Sequence, residues 1–334
     1  MKLLSLMLLA AAPALAGDSR AEFLKLIDRP RVPLAAEVKE MPAPDGLYQV
    51  HFTFASERGE RVPGILLRQP GAGRRPAVVV LHGTGGNKEG QLALVKELAG
   101  KGFTAIAIDG RHHGERSATG KGSSDYNDAM LATYRTGKGH PFLYDTVWDI
   151  LRLVDYLETR DDVDAARIGM IGFSKGGMEL YLAAAVDRRI AVAVPCIGVQ
   201  SFHWALDNES WQSRVGTFQK AIDAAAKDEG VSVVDAAFVR KFYDKVVPGV
   251  YSRFDGPAMV PLIAPRPLLS IHGDIDPRTP KPGVMECAAA AEKAYKAAGA
   301  PEKFVLHFQE NTAHQVKPPA MQMAVAWFVR WLKP

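Results

Sequence analysis

A serine stands inside the run Gly172-Phe173-Ser174-Lys175-Gly176, and a further glycine, Gly177, follows it. The residues before it, Arg167 to Ile171, read as a strand, and those after it, Gly177 to Ala185, as a helix. A serine forced onto a sharp strand-to-helix turn has its hydroxyl lifted clear of the sheet, and the crowded backbone of that turn calls for glycine two positions either side. The helix N-terminus then points free N–H groups at the same place. Such an arrangement suits nucleophilic attack on an acyl carbon, which needs a base to take the hydroxyl proton and an acid to orient the base. A lone G-x-S-x-G is a weak signal. One seated between a buried strand and a helix is considerably stronger.

The acid must sit at the end of a strand late in the chain. Ser270-Ile271-His272-Gly273-Asp274-Ile275-Asp276-Pro277 offers two candidates, Asp274 and Asp276. Nine histidines compete for the base. His51 and His307 fall inside strand patterns, where a packed residue is the usual reading. His314 lies in the polar loop that begins at Gln309-Glu310-Asn311-Thr312-Ala313, just before the last helix pattern. Developing negative charge needs two aimed donors. The backbone N–H of Lys175 is one, and the Gly-rich turn His82-Gly83-Thr84-Gly85-Gly86 is a source for the other.

The elements that would position these residues follow a clear rhythm. Two strand patterns, 47–55 and 61–68, flank the turn Ser56-Glu57-Arg58-Gly59 and suggest an antiparallel hairpin. Ala77-Val78-Val79-Val80-Leu81 is a continuous apolar run, as expected of a strand covered on both faces. Helix patterns at 89–100, 143–159 and 175–185 then alternate with strands at 103–108, 167–172 and 190–196, which predicts a mostly parallel sheet between helices. Between about 200 and 262 the rhythm stops. That stretch is charged and carries Trp204, Trp211, Phe218, Phe238, Phe242, Tyr243 and Tyr251 at helical spacing. It is too long for a loop and reads as a helical cap inserted into the sheet domain. The rhythm resumes with strand 267–272, helix 282–297, strand 303–309 and helix 319–332.

With these pieces in place the chain, over roughly residues 47–332, resembles the α/β-hydrolase superfamily, and within it the dienelactone-hydrolase-like and acetyl-xylan-esterase-like branch. The residues that carry the likeness are Leu81-His82-Gly83-Thr84-Gly85-Gly86, Asp109-Gly110-Arg111-His112-His113-Gly114, the serine elbow, Ala264-Pro265-Arg266-Pro267-Leu268-Leu269, His272-Gly273-Asp274-Ile275-Asp276 and Ala313-His314. The resemblance implies the chain order nucleophile, acid, histidine, with Ser174 first. It selects Asp276, three residues after the glycine, as the acid and His314 as the base. It also points to the N–H of Thr84 as the second oxyanion donor beside Lys175. The implied architecture is an eight-stranded, mostly parallel sheet flanked by helices (residues 47–199 and 263–334), with the cap at 200–262 between the sixth and seventh strands. Trp204 and Trp211 are then candidate walls of the substrate pocket. The implied activity is hydrolysis of a carboxylic ester of a small molecule or carbohydrate through an acyl-enzyme, with no cofactor. A prolyl-oligopeptidase-like peptidase is the alternative on the same triad, and a non-catalytic binding protein the alternative on the same fold.

Other classes fit less well. Hydrophobic residues make up 47% and charged ones 23% of the 334 residues, ordinary for a globular protein with a sizeable core. The net charge of +4 is scattered, with no basic run dense enough for nucleic acid. Adjacent histidines such as His112 and His113 tend to point apart, so no metal site is expected. The Gly-rich segment Ser117 to Ser124 lacks phosphate-loop spacing and reads as a surface loop. Met1-Lys2, the apolar stretch Leu3 to Ala12 and the A-x-A site Ala14-Leu15-Ala16 form the layout of a cleaved export signal at residues 1–16. Residues 17–46, rich in Pro and charge, read as an irregular arm. Cys196 and Cys287 sit in apolar surroundings and read as free, buried thiols. Oligomeric state leaves no mark on the sequence.

Overall fold

A computed structural model describes residues 14–333, so the expected export signal lies almost wholly outside the described residues. The described residues open with helix α1 (Ala14–Ile27) and strand β1 (Glu37–Met41), where the sequence suggests only an irregular arm. Phe23 and Ile27, one turn apart on α1, are buried in the core, and Arg20 donates to the carbonyls of Ala185 and Leu262. The run of prolines and charges after residue 27 obscures this short amphipathic stripe.

Strands β2 (Tyr48–Glu57) and β3 (Glu60–Arg68) form the expected hairpin. Then follow β4 (Arg75–Leu81), α2 (Leu92–Gly100), β5 (Thr104–Ile108), α3 (Gly122–Thr136), α4 (Tyr144–Glu158), β6 (Val163–Phe173), α5 (Lys175–Val186) and β7 (Ile190–Cys196). Helix α3 starts inside the stretch read as a surface loop. Between β7 and β8 the chain runs through α6 (Phe202–Asp207), α7 (Gln212–Val215), α8 (Gln219–Asp228), α9 (Ala236–Val246) and α10 (Gly256–Met259). It closes with β8 (Leu268–Gly273), α11 (Lys281–Ala297), β9 (Phe304–Gln309) and α12 (Pro318–Leu332).

Among the described residues the sheet has nine strands in the order β1-β2-β3-β5-β4-β6-β7-β8-β9, one more than the sequence suggests because β1 pairs with β2. The first pairings, β1 to β2, β2 to β3 and β3 to β5, are antiparallel. From β5 to β9 every pairing is parallel. Side chains alternate between two cores, as a strand covered on both faces requires. Val79 and Leu81 face one cluster with α4 and α5, while Val78 and Val80 face the other with α2 and α12. Each of these wholly buried valines contributes about 1.5–3 kcal/mol.

The order also fixes where chemistry is placed. From β4 the chain goes to β5 on one side and then to β6 on the other. Strand order therefore reverses at β4 and β6, and open α/β sheets bind ligands outside the strand ends at that reversal. Leu81 and Gly172 pair there in register. One step beyond them lie His82 and, two residues past Gly172, Ser174.

Candidate active site

Ser174 forms the N-terminal boundary of α5 with φ +52° and ψ −110°, a backbone conformation that a non-glycine residue rarely adopts. Strain of this kind costs about 1–3 kcal/mol and persists only where the surroundings impose it. They do so here by contact. A Cβ on Gly172 would lie 2.2 Å from the carbonyl oxygen of Gly176, and one on Gly176 would lie 2.5 Å from that of Leu81. The glycines two either side of the serine are therefore needed for space. The Ser174 N–H donates to the Cys196 carbonyl at 2.9 Å, tying the turn to β7.

His314 reaches this serine from the loop after β9. Its Nε2 is 2.8 Å from Ser174 Oγ and its Nδ1 is 2.7 Å from Asp276 Oδ2. The Asp276 side chain is fully covered and that of His314 is 15% exposed. Asp276 also accepts from the Arg278 N–H at 2.8 Å and from the Thr279 hydroxyl. Burial opposes its ionisation, but the bonds from His314 and Thr279 outweigh that and hold the carboxyl down at about 2. It is an anion at neutral pH. Burial lowers His314 from its ordinary value; the bond to Asp276 works the other way and the Arg214 guanidinium reinforces burial. A neutral imidazole therefore has Nδ1–H on the carboxylate and Nε2 free to accept from the serine hydroxyl.

Asp274 has another place. Its Oδ1 accepts the Thr312 N–H at 3.0 Å, and the Thr312 carbonyl lies so close to Gly273 that a Cβ there would fall 2.1 Å from it. Asp274 thus holds the loop that carries His314, and Asp276 holds the ring itself.

The loop after β4 lies against the serine. A Cβ on Gly83 would sit 3.5 Å from Ser174 Cβ. The Gly110 N–H donates to His82 Nε2 at 3.0 Å, so the proton of that buried ring is on Nδ1 and is donated to the Gly83 carbonyl at 2.7 Å. Burial pushes His82 well below its ordinary value, which keeps this arrangement independent of pH. Asp109 braces the same loop by accepting both the N–H and the ammonium of Lys88, each at 2.8 Å. Lys175 is the first residue of α5, so its N–H has no partner within the helix. Its side chain is turned away into the core, paired with Glu179 at 2.8 Å.

A cleft of about 500 Å³ opens beside Asp276. Ser210, from the connection between α6 and α7, lines it with Gln212 and Ser213 of α7 and with Pro277, Arg278 and Pro280 from the segment after β8. Trp204 and Trp211 do not line it. Trp204 packs against α11, 3.4 Å from where a Cβ on Gly283 would lie, and Trp211 packs on the main core. The polar lining gave no sequence signal, because scattered Ser, Gln and Arg look like any solvated surface. Cys196 and Cys287 are both buried and unpaired. Among the described residues no group of three or more His, Cys, Asp or Glu could hold a metal ion, and no helix is long and apolar enough to cross a membrane.

A family model described as glucuronyl esterase, fungi, matches residues 67–299. YtaP of Bacillus subtilis (strain 168) is 27% identical over 270 residues, covering 77% of this chain and 79% of that one. The 4-O-methyl-glucuronoyl methylesterase of Hypocrea jecorina (strain QM6a) is 26% identical over 222 residues, 61% of this chain and 46% of the relative. Among solved structures, the acetyl xylan esterase from Paenibacillus sp. R4 superposes with a TM-score of 0.64 at 19% identity, covering 95% of this chain and 93% of the other. That likeness is one of fold, and the fold is the α/β-hydrolase fold. The family match spans well over half of the sequence, and so the chain belongs to the glucuronyl esterase family described from fungi and is a carboxylic ester hydrolase.

Proposed function

We propose that this esterase acts on carbohydrate esters, methyl esters of uronic acid units first among them, through an acyl-enzyme on Ser174. The observation that carries the mechanism is the unbroken contact from Ser174 Oγ through His314 to Asp276 at the end of the parallel strands. His314 Nε2 takes the hydroxyl proton as Ser174 Oγ attacks the acyl carbon. The N–H groups of Lys175 and Thr84 hold the resulting oxyanion, and Asp276 keeps the imidazole in the tautomer that can accept and stabilises the imidazolium that forms. His314 returns the proton to the departing alcohol. Water then enters by the same route in reverse, the acid is released and the serine is restored. No cofactor takes part in these steps.

The substrate class draws support from the glucuronoyl methylesterase relatives and from the cleft beside Asp276. The hydroxyls of Ser210 and Ser213, the Gln212 amide and the Arg278 guanidinium along that cleft suit sugar oxygens. Residues 200–262 act as a cap that supplies one wall. Saccharide contacts fall to Ser210, Gln212, Ser213 and Arg278 rather than to Trp204 and Trp211. Residues 1–16 direct export, and N-terminal sequencing of the protein recovered outside the cytoplasm checks the cleavage before Gly17.

The test is turnover of p-nitrophenyl acetate, a glucuronate methyl ester and a chromogenic peptide amide by wild type and Ser174→Ala. Both esters are expected to turn over, the peptide amide is not, and the substitution removes about 10⁴-fold or more of the ester activity. Ester turnover untouched by Ser174→Ala contradicts the mechanism, and failure on the uronate ester alone contradicts the substrate class.

A further inference from the structure

Arg214, on the short helix α7, is 1% exposed, and among the described residues no carboxylate forms an ion pair with it. Its Nε donates to Gln200 Oε1 at 2.9 Å, and its Nη2 lies 3.4 Å from the carbonyls of Ile197 and Gly198, so all three partners are neutral oxygens. Among the described residues its Nη1 has no hydrogen-bond partner, and neither has Nε2 of Gln200. A buried guanidinium satisfied only in part is costly, and a fold that keeps one has a use for it.

Its neighbours indicate the use. The carbonyls it holds directly follow β7, whose last residue, Cys196, accepts the Ser174 N–H. Gly198 packs on the first turn of α5, where a Cβ would lie 2.8 Å from Gly177 Cα. The guanidinium thus braces the segment against which the serine turn is built. The groups facing it are Asp276 and Arg278 from the loop after β8, Tyr181 of α5, Tyr243 of α9 and His272 of β8. Of these Asp276 is the anion. Facing His314 are the same Asp276, bonded to its Nδ1, with His272, Arg278 and Arg214. Burial holds His272 neutral at neutral pH, with its value down at about 3. Arg278 is exposed, so water and salt screen it. Arg214, 1% exposed, is the buried cation among the groups named, and its charge acts on both Asp276 and His314.

We propose that Arg214 is a positioning residue for ester hydrolysis: from α7 it fixes the backbone behind the serine turn and sets a buried positive charge beside Asp276 and His314. The charge favours the ionised carboxylate and disfavours the protonated imidazole, so the base stays available in mildly acidic medium. Because an inserted helix carries it, any displacement of α7 withdraws the charge and loosens the serine turn together. The inference rests on His314 being the base.

Gln200→Glu tests it with little disturbance of shape. The new carboxylate keeps the acceptor for Nε and places a second oxygen where the unpartnered amide nitrogen stood, neutralising the guanidinium without deleting it. The expected result is a protein as resistant to thermal unfolding as wild type, whose acid limb of kcat/KM on a small ester moves up by about half a pH unit or more. The His314 imidazole, followed by NMR in the resting protein, shifts by the same amount. Arg214→Met moves the limb the same way, and Arg214→Lys, which keeps the charge, leaves it at the wild-type position. Folded Gln200→Glu protein with an unmoved acid limb and an unmoved His314 titration overturns the proposal, whether or not Arg214→Met folds. If the wild-type limb does not follow the His314 titration at all, the base assignment fails first and takes this inference with it.

Discussion

Lys175 and Glu179 form an ion pair at 2.8 Å with both side chains almost wholly buried, one turn into the helix that Ser174 begins. The residue after the serine thus sends its charge into the core and offers the site only its backbone. Burial raises Glu179 above its ordinary value, and Lys175 works against that rise. Removing Lys175 alone strands a carboxylate in a low-dielectric interior. Lys175→Met is expected to cost about 3–5 kcal/mol, whereas Lys175→Met with Glu179→Leu is expected to recover most of that loss. Urea unfolding of the two single variants and the double variant gives the cycle.

The two aspartates near the histidine separate by role. Asp276→Asn leaves the shape but lets Nδ1 accept instead of donate, so kcat/KM is expected to fall about 10⁴-fold. Asp274→Asn weakens one bond to the Thr312 N–H, with an expected loss of about 0.5–1.5 kcal/mol of stability and a far smaller change in rate. Steady-state kinetics with thermal unfolding on both variants checks the contrast.

Gly172 marks how tightly the serine turn is held. With the Gly176 carbonyl 2.2 Å from the position of its absent Cβ, Gly172→Ala must push the backbone of the turn. Activity is expected to fall at least 100-fold, since a displacement of about 1 Å near the reacting atoms has that effect. Stability is expected to drop by about 1–3 kcal/mol. Stopped-flow ester hydrolysis with calorimetry tests it.

Acid affects rate and stability at different pH values. His314 is lowered from 6.5, so the acid limb of kcat/KM is expected to have its midpoint below 6.5, with activity rising as the imidazole loses its proton. Asp276 is held at about 2 against an ordinary 3.8, so its contribution is present above about pH 4 and lost as pH falls through 2. That contribution is about 2 kcal/mol. Chemical denaturation between pH 5 and 2 measures it, and a pH–rate profile measures the other.

The serine turn and the order of its partners were legible because they rest on glycine spacing, apolar strand runs and loops that punctuate them. Asp276 could be told from Asp274 only through the family pattern, since both are single carboxylates after one strand. Helix α3 was lost because its sequence, from Gly122 to Thr136, is polar on most of its surface and starts in a Gly-Ser stretch. Strand β1 has all five residues exposed, so it carries no apolar alternation to read. Arg214 was invisible for a different reason. Its partners are backbone carbonyls and an amide distant in the chain, and an arginine in a polar run gives no sign that tertiary packing buries it. Trp204 and Trp211 stand out in the sequence by residue type, whereas the cleft beside Asp276 joins Ser210, Gln212 and Ser213 to Pro277, Arg278 and Pro280, residues far apart in the chain that tertiary packing brings together.

The most direct measurement is labelling with a fluorophosphonate, followed by peptide mass spectrometry and residual ester activity. One adduct per chain on the peptide that contains Ser174, with activity lost in step with labelling, is the predicted result. An adduct on another residue, or full activity in protein modified at Ser174, would contradict it.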